Sequence, residues 1–87
     1  MDINEIRITG TVERYNKYTS GKPMIRLLVN VWRERVPVIA FGDLAARGFS
    51  EGSRIEARGF IQSTAYTAKD GAKRYGWQIV ARELAPI

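Results

Sequence analysis

Apolar side chains fall on every second residue through most of this chain, and only one short stretch has the composition of a helix. Strict alternation sends successive side chains to opposite faces of a strand, so a chain that repeats it along its length must bury one face of a sheet. Residues 3–15 place Ile6, Ile8, Gly10 and Val12 on one side and Arg7, Thr9, Thr11 and Glu13 on the other. Residues 24–33 turn Ile25, Leu27, Val29 and Val31 inward and leave Met24, Arg26, Leu28, Asn30 and Trp32 outward. RER then makes a short connection to a third strand, VPVIAF, with Val36, Val38 and Ala40 opposed to Pro37, Ile39 and Phe41; the proline argues for an edge or a bulge. In GSRIEARGFIQSTAY, residues 52–66, Ile55, Ala57, Gly59 and Ile61 take one face and Arg58, Phe60, Gln62, Thr64 and Tyr66 the other. A fifth strand follows over YGWQIVARELA, after an Asp70-Gly71 turn signal. Gly10, inside the first strand, predicts a sharp bend or the close approach of another backbone. Residues 42–49, GDLAARGF, are the one candidate helix, with Asp43 able to cap its start.

A chain of 87 residues forms a single domain, 1–87, with one modest core. Fourteen Lys and Arg against nine Asp and Glu give a net charge of +5, and ten of those cations are Arg. Such a surface attracts polyanions, and guanidinium groups also stack on flat π-systems, so nucleic acid is the leading partner class. No segment reads as a basic amphipathic helix, a spanning apolar run or, at MDINEIRITG, a secretory signal. We therefore expect no membrane partner. The chain contains no Cys and no His, which excludes disulfides, the usual zinc sites and every mechanism built on an imidazole or thiolate. Carboxylate pairs such as Glu51 and Glu56 have no spacing that singles them out. YTSGKP ends like a phosphate-binding loop but lacks its earlier Gly and has Pro23 in place of the final Ser or Thr, so it reads as a turn. No enzyme, cofactor or metal is expected.

Three strands, a short helix and two more strands is the layout of the OB-fold, an all-β, five-stranded Greek-key barrel that binds oligonucleotides or oligosaccharides across its second and third strands. By period-2 counting Trp32, Phe41, Phe60 and Tyr66 point outward, interleaved with Arg26, Arg35, Arg58 and Arg74. Single-stranded nucleic acid requires this pairing of chemistries: rings on which exposed bases stack and cations along the phosphates. A duplex offers no unstacked bases. Taken singly, each ring could instead plug a barrel end or fill a subunit interface, and each Arg could be solvated surface. Phe49, beside the helix, fits the core better, while Tyr75 and Trp77, which share a face with Ile79 and Ala81, fit core and site equally.

IRITGTVER, TSGKP, VPVIAFGDLA, EGSRIEARGFIQSTAY and DGAKRYGWQIVA resemble, in order and over nearly the whole chain, the successive blocks of the bacterial single-stranded DNA-binding protein superfamily. VPVIAFG and GSRIEARGFI are also similar to the primosomal replication protein N branch. The resemblance implies base stacking by Trp32, Phe41 and Tyr66, a homodimer or homotetramer, and a cytoplasmic, nucleoid-associated protein that works with replication or primosome proteins; the exposed edges of so small a barrel make the first strand the expected contact. Where the family often carries another ring near the start of the third strand, this chain has Arg35. WRERV lacks the family's long basic loop, and the chain stops at ARELAPI without a disordered linker and acidic tip, as in a compact accessory or mobile-element form or a core cut from a longer chain.

Together these readings predict a non-catalytic binder of single-stranded DNA with little sequence preference. Its site would comprise Arg26, Trp32, Arg35, Phe41, Arg58, Phe60, Tyr66, Lys73, Arg74 and Trp77. RNA binding and a protein-assembly role are the competing expectations.

Overall fold

In a computed structural model that describes residues 1–87, the alternating segments become five strands and one helical turn. They are β1 (Ile6–Tyr18), β2 (Met24–Val31), β3 (Glu34–Phe41), α1 (Asp43–Ala46), β4 (Arg54–Thr67) and β5 (Lys73–Pro86). The strands close into a barrel in the order β1-β2-β3-β5-β4, with β1 pairing β4 through its first half and β2 through its second. With the helix between β3 and β4, this is the OB-fold that the strand pattern predicts.

The inward sets meet as expected. Ile25, Leu27 and Val29 of β2, Val38 and Ala40 of β3, Ile55 and Ala57 of β4, and Ile79 and Ala81 of β5 pack with Val12 and Leu84 in one buried cluster. Full burial of each large aliphatic side chain contributes about 1.5–3 kcal/mol. Phe49 and Leu44 pack against the cluster from the α1 side, as the sequence suggests for Phe49.

Two bulges shift the alternation, and the sequence pattern shows neither. Glu13 is an extra residue in β1 between Val12, opposite Val29, and Arg14, opposite Leu28. Beyond it Tyr15 turns toward the core while Arg14, Asn16 and Tyr18 face outward, so β1 continues to Tyr18 and not only to residue 15. Arg82 is the extra residue in β5: Ala81 lies opposite Gly59 and Glu83 opposite Arg58. The shift returns Leu84 to the core, where strict alternation from Ile79 would point it at solvent.

The helix is shorter than the expected 42–49. It is a single turn, capped by Gly42 at φ +64 with no side-chain cap, so Asp43 stands in the first turn and does not cap it. Its own Ala45 is buried in the core, and Arg47 donates to the Leu84 carbonyl at 2.9 Å, tying the turn to β5.

At the start of β1 the side chain of Asn4 takes the place of a backbone rung. Its Nδ2 donates to the Ile61 carbonyl at 2.8 Å and its Oδ1 accepts from the Ile61 N–H at 2.9 Å. From there β4 and β5 run on together as a two-stranded arm over 62–67 and 73–78, closed by the expected Asp70-Gly71 turn with Gly71 at φ +84.

Gly10 and Gly59 permit the closest strand approaches. A Cβ on Gly10 would strike the Asn30 carbonyl oxygen, and one on Gly59 the Val80 carbonyl oxygen. Gly59→Ala should therefore destabilise the fold by about 1–3 kcal/mol through overpacking. Gly48→Ala, whose Cβ would meet open space, serves as the control. Denaturant midpoints compare the two, and equal midpoints would refute the close approach at Gly59.

Candidate nucleic-acid interface

The outer side chains of β2 and β3 face each other in rows: Met24 opposite Phe41, Arg26 opposite Ile39, Leu28 opposite Pro37 and Asn30 opposite Arg35. The bulge at Glu13 extends these rows onto β1, placing Tyr18 beside Met24, Asn16 beside Arg26 and Arg14 beside Leu28. On the other side β3 and β5 pair in parallel at Ile39 and Val80, and Val80 lies opposite Phe60 of β4. One row therefore crosses five strands as Asn16, Arg26, Ile39, Val80 and Phe60. Ile39, expected to point into solvent, sits at the middle of that row and is 6% exposed.

Phe60 is outward, as predicted, but its face is occupied. The Arg82 guanidinium lies 5.1 Å from the ring centroid, a cation–π stack on the outward side that Arg82 shares with Val80. Phe41 is half-exposed and ends the face beside Met24 and Tyr18.

Trp32 is not on β2. Val31 pairs with Glu34, so Trp32 and Arg33 form a two-residue hairpin loop at the end of the β2–β3 ribbon. The backbone of Trp32 has φ +65 and its side chain is 92% exposed. Hairpins of this length require positive φ, normally supplied by Gly, Asn or Asp. A bulky residue held there costs on the order of 1–3 kcal/mol.

Because β3 and β5 run parallel, the part of β5 that precedes Ile79 extends toward this same hairpin end. The arm thus leaves the same end of the barrel as the hairpin that carries Trp32, and its two faces differ. Gln62, Thr64 and Tyr66 lie opposite Gln78, Gly76 and Arg74, continuing the outer face; Gln78 donates to Gln62 at 2.9 Å. Ser63, Ala65 and Thr67 lie opposite Trp77, Tyr75 and Lys73 on the reverse face. Trp77 and Tyr75 do follow the parity of Ile79, yet they are 69% and 77% exposed, because the arm has left the barrel and no core remains to cover them.

The cations divide likewise. Arg26 lies on the shared outer face with no acidic partner within ion-pair distance. Arg35 is held by Glu13 at 3.0 Å, the bulge residue that also accepts from Asn30 Nδ2 at 2.8 Å. Arg74 contacts Asp70 at 3.6 Å, and Lys73 is exposed at the foot of the arm turn.

Arg58 does not join the others. It lies opposite Arg7 on the β1–β4 side, engaged by Glu56 at 3.1 Å and Glu83 at 4.0 Å. Period-2 counting made it outward, which is right, but a barrel has outward faces all round, and the count does not say which one. Arg14 and Tyr18 are the members of the outer face that counting misses. Both depend on the Glu13 bulge, beyond which the parity of β1 reverses.

No group of acidic residues is placed to hold a metal ion. The strongest local electrostatic effect is at Glu56. The hydrogen bond from Arg7 holds its carboxyl below the ordinary 4.5; partial desolvation opposes this, and the charges of Arg7 and Arg58 add to it. A depressed carboxylate stabilises the fold above its unfolded pKa, and that stabilisation is lost as pH falls through the lower folded value.

Two expectations follow. Glu56→Gln should lower the melting temperature near neutral pH and flatten the loss of stability on acidification below 4.5; parallel pH profiles for the two proteins would remove Glu56 from the acid response. Trp32→Gly should raise stability by up to ~2 kcal/mol, since relief of the strained φ exceeds the added chain entropy. Trp32→Ala, which keeps a Cβ at positive φ, should give no such gain in the same unfolding assay.

No family model matches the sequence, and no curated protein does. Among solved structures, the chain is similar to a small single-stranded DNA-binding protein from Streptomyces coelicolor, with a TM-score of 0.79 and 17% sequence identity over 100% of this chain and 96% of that one. At that identity the likeness is one of fold, and it agrees with the OB-fold topology described above.

Proposed function

We propose that this protein binds single-stranded DNA, without catalysis and with little preference for base sequence. The observation that carries the reading is Trp32, an indole almost wholly in water on a backbone turn that disfavours it. Nothing within the chain offsets either cost, and a stacking base would offset both. The solved structure with the same fold is named as a single-stranded DNA-binding protein, which supports the same partner class.

The strand runs along the β2–β3 face between Phe41 with Tyr18 at one end and Trp32 at the other. From Glu34 to Phe41 that is ~23 Å of extended ribbon. Tyr66, outward near the tip of the arm, adds a platform beside the hairpin end. Arg14 and Arg26 follow the backbone across the face, and Lys73 and Arg74 follow it along the arm. Arg35 joins them only by exchanging the Glu13 carboxylate for a phosphate. Arg58, held by two carboxylates on another side, takes no part in this path.

Self-association belongs to the same reading. β1 is hydrogen-bonded on one side or the other along its length, so its free edges are short. The arm strands have no third neighbour, and they offer a second edge for a homodimer or homotetramer. Service in replication, recombination or repair, in a cytoplasmic and nucleoid-associated setting, is the cellular role this activity would fill.

Titration of oligo-dT against a duplex of equal charge, followed by tryptophan fluorescence, tests the proposal. Quenching should saturate with the single strand and be much weaker with duplex. Four phosphate contacts set a log–log salt slope of about −3, from roughly 0.7 per phosphate. Trp32→Ala or Tyr66→Ala should cost roughly 1–3 kcal/mol of affinity with the slope nearly unchanged. Equal binding of both nucleic acids would leave charge alone as the cause, and tighter binding of folded RNA than of dT would replace DNA by RNA.

A further inference from the structure

The outer face does not account for Trp77, which lies on the reverse face of the arm. β3 and β5 share only two rungs, Val38 with Ile79 and Ile39 with Val80, and then part. The gap opens into a groove of about 590 Å³ lined by Ile6, Arg35, Val36, Pro37, Ile61, Trp77, Gln78 and Ile79. Ile6, Val36, Ile61 and Ile79 are inward by parity, so the groove is the unplugged end of the barrel, opposite the end that α1 covers. Its size is that of a small-molecule cleft, about 300–1,000 Å³, with the usual composition of an apolar floor and a few polar groups.

We propose that this groove takes a nucleobase from the bound strand, with the base flanked by the Trp77 indole and seated on Ile61 and Ile79. The inference rests on the single-strand reading above and adds to it a base position of opposite parity. Two features select this occupant. The groove carries one exposed aromatic wall, which suits a flat π-system. Its only charged lining residue is a cation, Arg35, which would exchange Glu13 for a phosphate at the rim, and no acidic residue lines the groove itself. An anion-tethered ligand therefore fits, whereas a second copy of a chain with net charge +5 brings like charge to the same rim. Gln78, tied to Gln62 on the outer face, marks the border between the groove and that face.

The test uses two single-tryptophan variants, Trp77→Phe, which reports on Trp32, and Trp32→Phe, which reports on Trp77. Each is titrated with a dT oligomer of about 16 nucleotides, the upper site size of one OB-fold, with binding followed independently by fluorescence anisotropy of a labelled strand. We expect Trp77 emission to be quenched and shielded from acrylamide as dT saturates, and Trp77→Ala to weaken binding about 5- to 150-fold.

If dT binds and quenches Trp32 while Trp77 stays unquenched and open to acrylamide, the groove is not a base site, although the single-strand reading survives. If anisotropy shows no binding, both fall together. Shielding of Trp77 that appears without DNA and grows with protein concentration would assign the groove to a second copy and overturn the proposal.

Discussion

Closure of the barrel rests on two rungs between β3 and β5, and the shape of the molecule follows from them. All other neighbouring strands are antiparallel and joined by longer ladders. The parallel contact brings strands from the two ends of the sheet together, so Val38 and Ile79 complete the core, while Ile39 and Val80 complete a continuous outer face. It also sets direction. Since β3 and β5 run the same way, the β2–β3 hairpin and the β4–β5 arm emerge from the same end of the barrel, one carrying an exposed indole and the other three exposed rings. A longer ladder there would close the groove between Arg35 and Trp77.

The bulges connect stability to the candidate site. Each inserts one residue, and each changes which side chains reach the surface beyond it. At Glu13 the insertion turns Tyr15 to the core and Arg14, Asn16 and Tyr18 outward, and its carboxylate then fixes Asn30 and Arg35. At Arg82 the insertion returns Leu84 to the core, while the guanidinium of Arg82 itself stacks on Phe60. The surface so formed carries Arg14 and Arg26 among Leu28, Pro37 and Ile39, with the rings of Tyr18 and Phe41 at one end. Trp32 shows the same coupling in reverse, because the fold tolerates a strained turn there to keep a ring in solvent.

The sequence by itself determined the five strands, most of their inward residues and the turn at Asp70-Gly71, because alternation and turn chemistry are local; Tyr15, Ile39 and Leu84 escaped it because bulges and barrel closure decide their burial. Its composition also pointed to polyanions through the net charge of +5 and left no Cys or His for disulfide, thiolate or imidazole chemistry. Alternation could separate inside from outside, but it carries no information about which strands are neighbours. Arg58 and Arg26 therefore looked equivalent in the sequence, and only the barrel puts them on different sides, one among carboxylates and one among the outer rows. The identity of Trp32 as a loop residue depended on register, because Val31 and Glu34 must pair before the turn is defined. The tertiary structure also decided the exposure of Tyr75 and Trp77: their parity is that of the core, but the arm carries them past the point where the barrel has anything left to bury them against.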